Sequence, residues 1–333
     1  MLVLRKFNLA IFGATGLVGQ KMRTILEERN LPIENIYFFA SKNSAGKTIN
    51  FQSKNYHIEE LSEENLKNKK IDYALCALES PLAKEFLPMA AKYGITSIDN
   101  SSAFRMVDDI PLVVPEINAS ETSKGKGIIA SPNCSTIQSV MALYPIYKKY
   151  GIKRIIYTTY QAVTGSGIGG IEDLYRGIWA GENDFYPHQI AYNVLPHIDD
   201  FLDDGYTKEE MKMVDETKKI LNDQSLRITA TAARVPVLNS HMVAINVETE
   251  KPFDIDEIFE DFRNEPGIVL YDDVKNNIYP MPTVTTGKDE VYVGRIRRDN
   301  SIENGINFLS VADNTRKGAA LNTIQILEYL IEN

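Results

Sequence analysis

The sequence predicts an α/β protein in two parts, a parallel sheet wrapped by helices and then an α+β domain with an open mixed sheet. Three observations predict it. Short apolar runs alternate with helix-spaced segments over residues 7–98, the pattern of βαβ units. A glycine-rich turn, Gly13 to Gly19, joins the first run to the first helical segment, as in a Rossmann-like dinucleotide domain. Beyond Ser131-Pro132-Asn133 the texture changes to longer β-rich stretches with helices between them. The length of 333 residues accommodates two such domains without a disulfide or metal staple.

Phe7 to Phe12 is apolar and stops at glycine, so it reads as a buried strand. Leu17 to Arg29 has helical spacing, with Leu17, Val18, Met22, Ile25 and Leu26 on one side, and Asn30-Leu31-Pro32 ends it. Asn35 to Ala40 is a second strand. After a polar stretch, Ile71 to Leu78 is a third, Leu82 to Tyr93 a second helix and Ile95 to Ile98 a fourth strand. In the second part, Arg154 to Ala162, Leu226 to Ala233, Met242 to Glu248 and Val291 to Arg298 read as strands. Ile168 to Ala180 and Lys208 to Leu221 read as helices. A final helix, Lys317 to Ile331, is expected to return to the first domain. The expected division is 1–133, completed by 315–333, as the nucleotide domain, and 134–314 as the catalytic and dimerisation domain. Ala180 to Gly205 has no periodicity; long irregular segments of this kind are usually functional or interfacial.

Composition excludes several classes. A net charge of −9 disfavours nucleic acid and anionic membranes as partners, since both select basic surfaces. Two cysteines, Cys76 and Cys134, rule out a disulfide-rich secreted scaffold and indicate a reducing, cytoplasmic setting. Met1-Leu2-Val3-Leu4-Arg5-Lys6 lacks the apolar core of a leader, no apolar run reaches membrane-span length, and no Cys/His cluster has zinc spacing. A small-molecule substrate and no metal are expected.

In Gly13-Ala14-Thr15-Gly16-Leu17-Val18-Gly19, Gly13 permits a tight turn, Gly16 lets backbone approach a pyrophosphate, and Gly19 allows close helix–strand packing. The helix N-terminus supplies unpaired N–H groups. The spacing, G-x-x-G-x-x-G, departs from the usual G-x-G-x-x-G. After the second strand, Ser41-Lys42-Asn43-Ser44-Ala45-Gly46-Lys47 contains no acid for a ribose hydroxyl and offers hydroxyls, an amide and cations suited to a 2′-phosphate. NADP is the expected cofactor.

Cys134 follows Pro132-Asn133 and precedes an apolar helical face, Ile137, Val140, Met141 and Leu143. A helix N-terminus favours thiolate and lowers a thiol pKa from its free value of about 8.5. Cys76 lies within an apolar strand and reads as core. A hydride leaves an aldehyde only after a nucleophile has made the carbon tetrahedral, and a thiolate suits because the thioester it forms stays reactive. Histidine is the expected acid/base. His57 sits in a charged run and reads as exposed; His188 and His197 lie in the irregular segment; His241 opens a strand seven residues after Arg234 and is favoured.

These features resemble the aspartate-semialdehyde dehydrogenase family over nearly the whole chain. The motifs are the glycine turn 13–19, Ser41 to Lys47, Asn100-Ser101-Ser102-Ala103-Phe104-Arg105, Pro132-Asn133-Cys134-Ser135-Thr136 and Tyr160 to Gly167. Glu209-Glu210-Met211-Lys212, Glu216 to Leu221, Arg234 to His241 and Asp313 to Ala320 complete them. The resemblance implies Cys134 as nucleophile and His241 as acid/base. It implies Gln161, Glu209 and Arg234 on an amino-acid substrate and Arg105 and Lys212 around phosphate. For the cofactor it implies Gly13, Thr15, Gly16, Leu17, Val18, Ser41, Asn43, Ser44, Thr164, Gly165 and Asn314. Relatives often carry arginine where Asn43 stands; Lys42 is the available replacement.

The function so implied is conversion of L-aspartate 4-semialdehyde, phosphate and NADP to L-4-aspartyl phosphate and NADPH, with the reverse direction biosynthetic, by a homodimer or tetramer. Two enzymatic alternatives stand beside it. Malonyl- or succinyl-CoA reduction needs no ammonium-binding acid, and N-acetyl-glutamyl-phosphate reduction usually has Gly at the position of Asn133. A nucleotide-binding relative without catalysis is the third; Cys134, Gln161, Arg234 and His241 occurring together argue against it.

Overall fold

The computed structural model describes residues 5–333; residues 1–4, the start of the stretch read above as lacking a leader, lie outside them. The described chain forms two compact units. One comprises the chain up to Pro132 together with Ala319–Asn333, and the other is Asn133–Gly318.

The first unit is a seven-stranded sheet in the order β3-β4-β2-β1-β5-β6-β7. Its strands are β1 (Phe7–Phe12), β2 (Ile33–Ala40), β3 (Thr48–Phe51), β4 (Lys54–Glu60), β5 (Tyr73–Cys76), β6 (Thr96–Asp99) and β7 (Ile128–Ala130). All pairs are parallel except β3 with β4. β1 is buried at every residue, as a strand covered on both faces must be. Alternate side chains serve opposite cores. Leu9 and Ile11 pack with Met22, Ile25 and Leu26 and with Ile324 and Leu327 of the C-terminal helix. Ala10 and Phe12 pack with Ala83 and Leu87 of the helix Ser80–Lys92.

Three differences from the sequence reading have local causes. The polar stretch after β2 contains the hairpin β3–β4, because Ile49, Phe51 and Ile58 alternate with polar residues and bury only one face. β7 was not expected: three residues are too few to show a period. The expected strand Ile71 to Leu78 narrows to Tyr73–Cys76.

The second unit carries a six-stranded sheet in the order β11-β12-β13-β10-β8-β9. The strands are β8 (Ile152–Gln161), β9 (Arg227–Arg234), β10 (His241–Thr249), β11 (Ile268–Leu270), β12 (Val291–Asp299) and β13 (Gly305–Ala312). β8/β9 and β11/β12 are parallel and the other pairs antiparallel, so the sheet is mixed. The helix Cys134–Tyr150 packs against β10 and β13 and against the helices Lys208–Ile220 and Ile255–Asn264. It is buried nearly all round, including Ser135, Thr136, Gln138 and Ser139. β13 escaped the sequence reading because Asn307 and Ser310 interrupt its apolar run; Ser310 is nonetheless fully buried and donates to the Gln138 carbonyl at 3.1 Å. The segment 180–206 contains no helix or strand.

In the first unit, β1 lies between β2 and β5, so successive connections leave it toward opposite sides, the arrangement that opens a ligand crevice at the strand's C-terminal end. Gly13, with φ +79°, begins the turn there; a Cβ on it would stand 2.2 Å from the Ala77 carbonyl oxygen. At Gly16 the nearest such atom is 3.6 Å away. Gly13→Ala therefore combines positive-φ strain with a backbone collision and should cost about 2 kcal/mol or more. Gly16→Ala should cost less than about 1 kcal/mol as an exchange at a helix N-cap. Denaturant titration of the two variants checks this; equal losses would contradict it.

Candidate active site

Strand register assembles the centre of the second unit. Gln161 and Arg234 end the parallel strands β8 and β9 and face each other as register partners. His241 begins β10, whose next residue, Met242, pairs with Tyr160. Three residues spread over 81 positions of sequence thus meet at one end of the sheet. All three are buried.

Asn133 is the N-cap of the helix that starts at Cys134. Its side-chain oxygen accepts the N–H groups of Ser135 and Thr136 at 2.9 and 3.3 Å, which satisfies two of the helix's unpaired donors. Its amide nitrogen donates to Glu209 Oε1 at 3.0 Å, and its own backbone N–H donates to Glu216 Oε2 at 2.6 Å. Glu209 and Glu216 are seven residues apart on the helix Lys208–Ile220, hence on one face. A capping box of Thr207 and Glu210 starts that helix. One turn beyond Cys134, Gln138 donates to the His241 carbonyl at 3.2 Å. Gly318 lets the chain pass close to the cysteine, since a Cβ there would stand 3.0 Å from Cys134 Cβ.

Glu209 is nearly inaccessible, and burial alone would raise its carboxyl pKa. Lys212, with the amides of Gln161 and Asn133 and the nearby Arg234, reverses this and holds it at about 2. Gln161 Nε2 donates to Oε1 at 3.1 Å, and Lys212 Nζ donates to Oε2 at 3.1 Å and to Asp199 at 2.6 Å. The ion pair with Asp199 was not foreseen, because Asp199 lies in the segment without periodicity. Lys212 and Glu209, three residues apart, are also an ion pair within one helix.

His241 is pushed down to about 3, first by burial and then by Arg234, against smaller opposing effects of Glu209 and the Ser240 carbonyl. Its Nδ1 accepts the Ala162 N–H at 3.0 Å, which leaves the proton of the neutral ring on Nε2. Nε2 has no hydrogen-bond partner among the described residues. Arg234 Nη1 donates to the Ala162 carbonyl at 2.8 Å, so the backbone of one residue, through its N–H and its C=O, orients both groups. Gly165, in the turn Val163–Ser166, borders them: a Cβ there would lie 2.8 Å from Arg234 Nη1 and 3.1 Å from His241 Nε2.

The other expected residues fall as follows. Thr164 and Asn314 bond through their side chains at 3.1 Å, and Asn314 Oδ1 accepts the Ser240 N–H at 2.9 Å. Gly13, Thr15 and Gly16 form the turn after β1, and Leu17 and Val18 open the helix Leu17–Arg29, whose N-terminus has no side-chain cap. Ser41, Asn43 and Ser44 form a turn after β2, with Ser41 and Asn43 exposed. Arg105 belongs to the first unit, is 8% exposed, and donates to the carbonyls of Ser131 and Asn100 at 2.9 and 3.0 Å. Cys76 is fully buried and burial raises its thiol pKa well above the ordinary value, while Cys134 is partly accessible. His57 is exposed on β4. Asn133 and Glu216 carry more of the geometry than their sequence motifs suggested. The sequence reading passed over both; the signals that could have found them are the helix-start preference of asparagine and the i,i+7 spacing of Glu216 from Glu209.

The buried, neutral His241 has a stability consequence. Its folded pKa lies below the unfolded value of about 6.5, so the unfolded chain binds the extra proton and stability falls as pH drops from about 6.5 toward 3. The slope approaches ~1.4 kcal/mol per pH unit from this group. Unfolding free energies measured between pH 7 and 5 should show a shallower acid loss in His241→Gln than in the unsubstituted chain; parallel curves would contradict the assignment.

Residues 8–125 match the family model described as semialdehyde dehydrogenase, NAD binding domain, and residues 143–317 match semialdehyde dehydrogenase, dimerisation domain. The chain is 49% identical to aspartate-semialdehyde dehydrogenase of Aquifex aeolicus, over 98% of each chain, and 41% identical to that of Bacillus subtilis, again over 98% of each. Among solved structures, aspartate semialdehyde dehydrogenase II of Vibrio cholerae superposes with a TM-score of 0.95 at 43% identity, covering 99% of both chains. Similarity of this extent runs through both units. The chain therefore belongs to the aspartate-semialdehyde dehydrogenase family.

Proposed function

We propose that this chain interconverts L-aspartate 4-semialdehyde, phosphate and NADP with L-4-aspartyl phosphate and NADPH, the reductive direction supplying lysine, methionine and threonine synthesis. One observation carries the reading: a buried, ionised Glu209 and a buried Arg234 flank Gln161 in the unit that begins its first helix with Cys134. A carboxylate and a guanidinium in one dry site suit the ammonium and α-carboxylate of an amino acid. An acyl-CoA substrate would leave Glu209 without that use. The Vibrio cholerae relative, also solved complexed with ASA, supports the same choice.

In the oxidative direction the Cys134 thiolate adds to the aldehyde carbon, and the carbonyl electrons move onto oxygen. His241 Nε2–H donates to that oxygen as charge develops, which is the acid side of the acid/base role expected of it. NADP, when bound, supplies the hydride acceptor. The acyl group then remains on Cys134 as a thioester, and a phosphate oxygen attacks it, releasing the thiolate. Gln161, Glu209 and Arg234 hold the amino-acid end. Arg105 and Lys212 are assigned to phosphate by their motif positions, and both are cationic groups held by surrounding oxygens.

The glycine turn fits a dinucleotide. A Cβ at Gly13 or Gly19 would strike backbone at 2.2 or 2.3 Å, and the helix it leads into exposes uncapped N–H groups. Gly13, Thr15, Gly16, Leu17 and Val18 would hold its pyrophosphate and Ser41, Asn43 and Ser44 its 2′-phosphate; Thr164, Gly165 and Asn314 are assigned to the cofactor by their motif positions alone. A homodimer or tetramer is part of the reading, supported by the large side chains Trp179, Phe185, Tyr192 and Phe201 left exposed on the second unit and by the prevalence of symmetric oligomers. Two free cysteines support a reducing compartment such as the cytoplasm, and no helix among the described residues is long and apolar enough to cross a membrane.

The reading is tested by following NADP reduction with L-aspartate 4-semialdehyde and phosphate. Cys134→Ala should lower kcat by several orders of magnitude while NADP affinity stays within about twofold. Retention of more than about 1% of activity would remove the covalent route. The same assay with NAD should give a lower kcat/KM than with NADP, because Ser41 to Lys47 contains no acid for a free ribose hydroxyl; a ratio favouring NAD would overturn the assignment of that turn.

A further inference from the structure

The irregular segment 180–206 is seated as a strap over the helix Gly167–Trp179. Asp173, 1% exposed, accepts the backbone N–H groups of Asp184 and Phe185 at 2.9 Å and of Tyr186 at 2.8 Å. Burial would raise its carboxyl pKa, but the three amides and Arg176 hold it below the usual value. The helix offers the strap a glycine face. A Cβ at Gly169 would lie 2.4 Å from the Phe185 ring, at Gly170 2.5 Å from the Tyr186 hydroxyl, and at Gly177 2.8 Å from Ala191 Cβ. Tyr186 packs with Val163, Leu174, Ile190 and Leu195 in a small core of its own. Farther along, Leu195 exchanges both backbone hydrogen bonds with Arg234, at 2.9 and 2.8 Å.

Tyr186 reaches from the strap to the active-site turn. Its hydroxyl donates to Ser166 Oγ at 2.9 Å. Ser166 ends the turn Val163–Ser166, in which Gly165 borders Arg234 Nη1 and His241 Nε2, and which follows Ala162, whose backbone N–H and C=O orient the two. The far end of the turn is pinned independently, by Val163 N–H on the Val237 carbonyl at 2.9 Å and by Thr164 on Asn314. Ser166 lies at the other end, and the Tyr186 hydroxyl is the side-chain contact that ties it to the strap.

We propose that Tyr186 is a positioning residue for the substrate site, holding through Ser166 the distance between Gly165 and the Arg234–His241 pair. This rests on the function proposed above. Loss of the hydroxyl leaves the aromatic packing and the Asp173 contacts in place but lets the turn shift. Displacements of well under 1 Å at a reacting centre are costly to rate. A neutral hydrogen bond contributes about 0.5–1.5 kcal/mol net, so its removal should read as roughly a two- to tenfold loss.

The test uses full-length Tyr186→Phe, Ser166→Ala, the double variant, Ser166→Thr, and, as a control expected to keep full kcat/KM, Tyr175→Phe on the helix Gly167–Trp179. Steady-state kinetics with varied L-aspartate 4-semialdehyde are measured beside thermal unfolding and NADP affinity. The expected result is a fall of about two- to tenfold in kcat/KM in each of the first two variants. The double variant should be no worse than the poorer single, Ser166→Thr should recover most of the loss, and Tm and NADP affinity should stay at the unsubstituted level. A single variant with full kcat/KM, an additive double variant, or a kinetic loss that only tracks a fall in Tm would overturn the proposal. If the unsubstituted chain itself does not turn over the semialdehyde, the function proposed above fails, and this inference with it.

Discussion

The junction at Asn133 is the contact on which the arrangement of the second unit depends. One side chain caps the helix that starts at Cys134 and donates to Glu209, while its peptide N–H donates to Glu216. The start of the helix at Cys134 is thereby fixed to one face of the helix Lys208–Ile220. Capping alone contributes about 1 kcal/mol, but the bonds to buried carboxylates are charge-assisted and roughly twice as strong as neutral ones. Replacing Asn133 would therefore disturb Cys134 and the Glu209 carboxylate together.

Glu209 is the second consequence of that junction. A lone carboxylate this deeply buried would be driven neutral, and the raising effect of burial is present here as its largest single influence. It is overcome because four groups converge on it: Lys212, Gln161, Asn133 and the more distant Arg234. The charge that would recognise an ammonium is held in place by the same residues that shape the rest of the site. His241 illustrates the opposite balance. Among the described residues no carboxylate bonds its ring, Arg234 opposes protonation, and the ring stays neutral with its proton assigned by the Ala162 amide.

Beyond this first ring of contacts, the segment 180–206 lacks regular structure yet is closely specified by an aspartate receiving three amides, three glycines that admit its side chains, and a two-bond bridge to Arg234. Order without periodicity follows from such side-chain-to-backbone contacts, because they supply the hydrogen bonds a helix or strand would otherwise provide.

The amino-acid sequence by itself determined the helix Leu17–Arg29, the buried strand β1, the helix start at Cys134 and the strand start at His241. Each is set by local rules: apolar period, a glycine or proline boundary, a capping side chain. It also singled out Cys134, Gln161, Glu209, Arg234 and His241 by residue type and motif. Tertiary structure alone decided how they meet. The register of Gln161 against Arg234 comes from the parallel pairing of β8 with β9, whose partners are 73 residues apart at that point, and no local rule reaches that far. The hairpin β3–β4 and the strand β13 were illegible because their burial is set by neighbours that fold over them, leaving a weak or interrupted apolar period in the chain. The Lys212–Asp199 pair, the assignment of the His241 proton and the Tyr186–Ser166 bond stayed hidden for the same reason. Each depends on distances between residues that only the packed fold brings within hydrogen-bond reach.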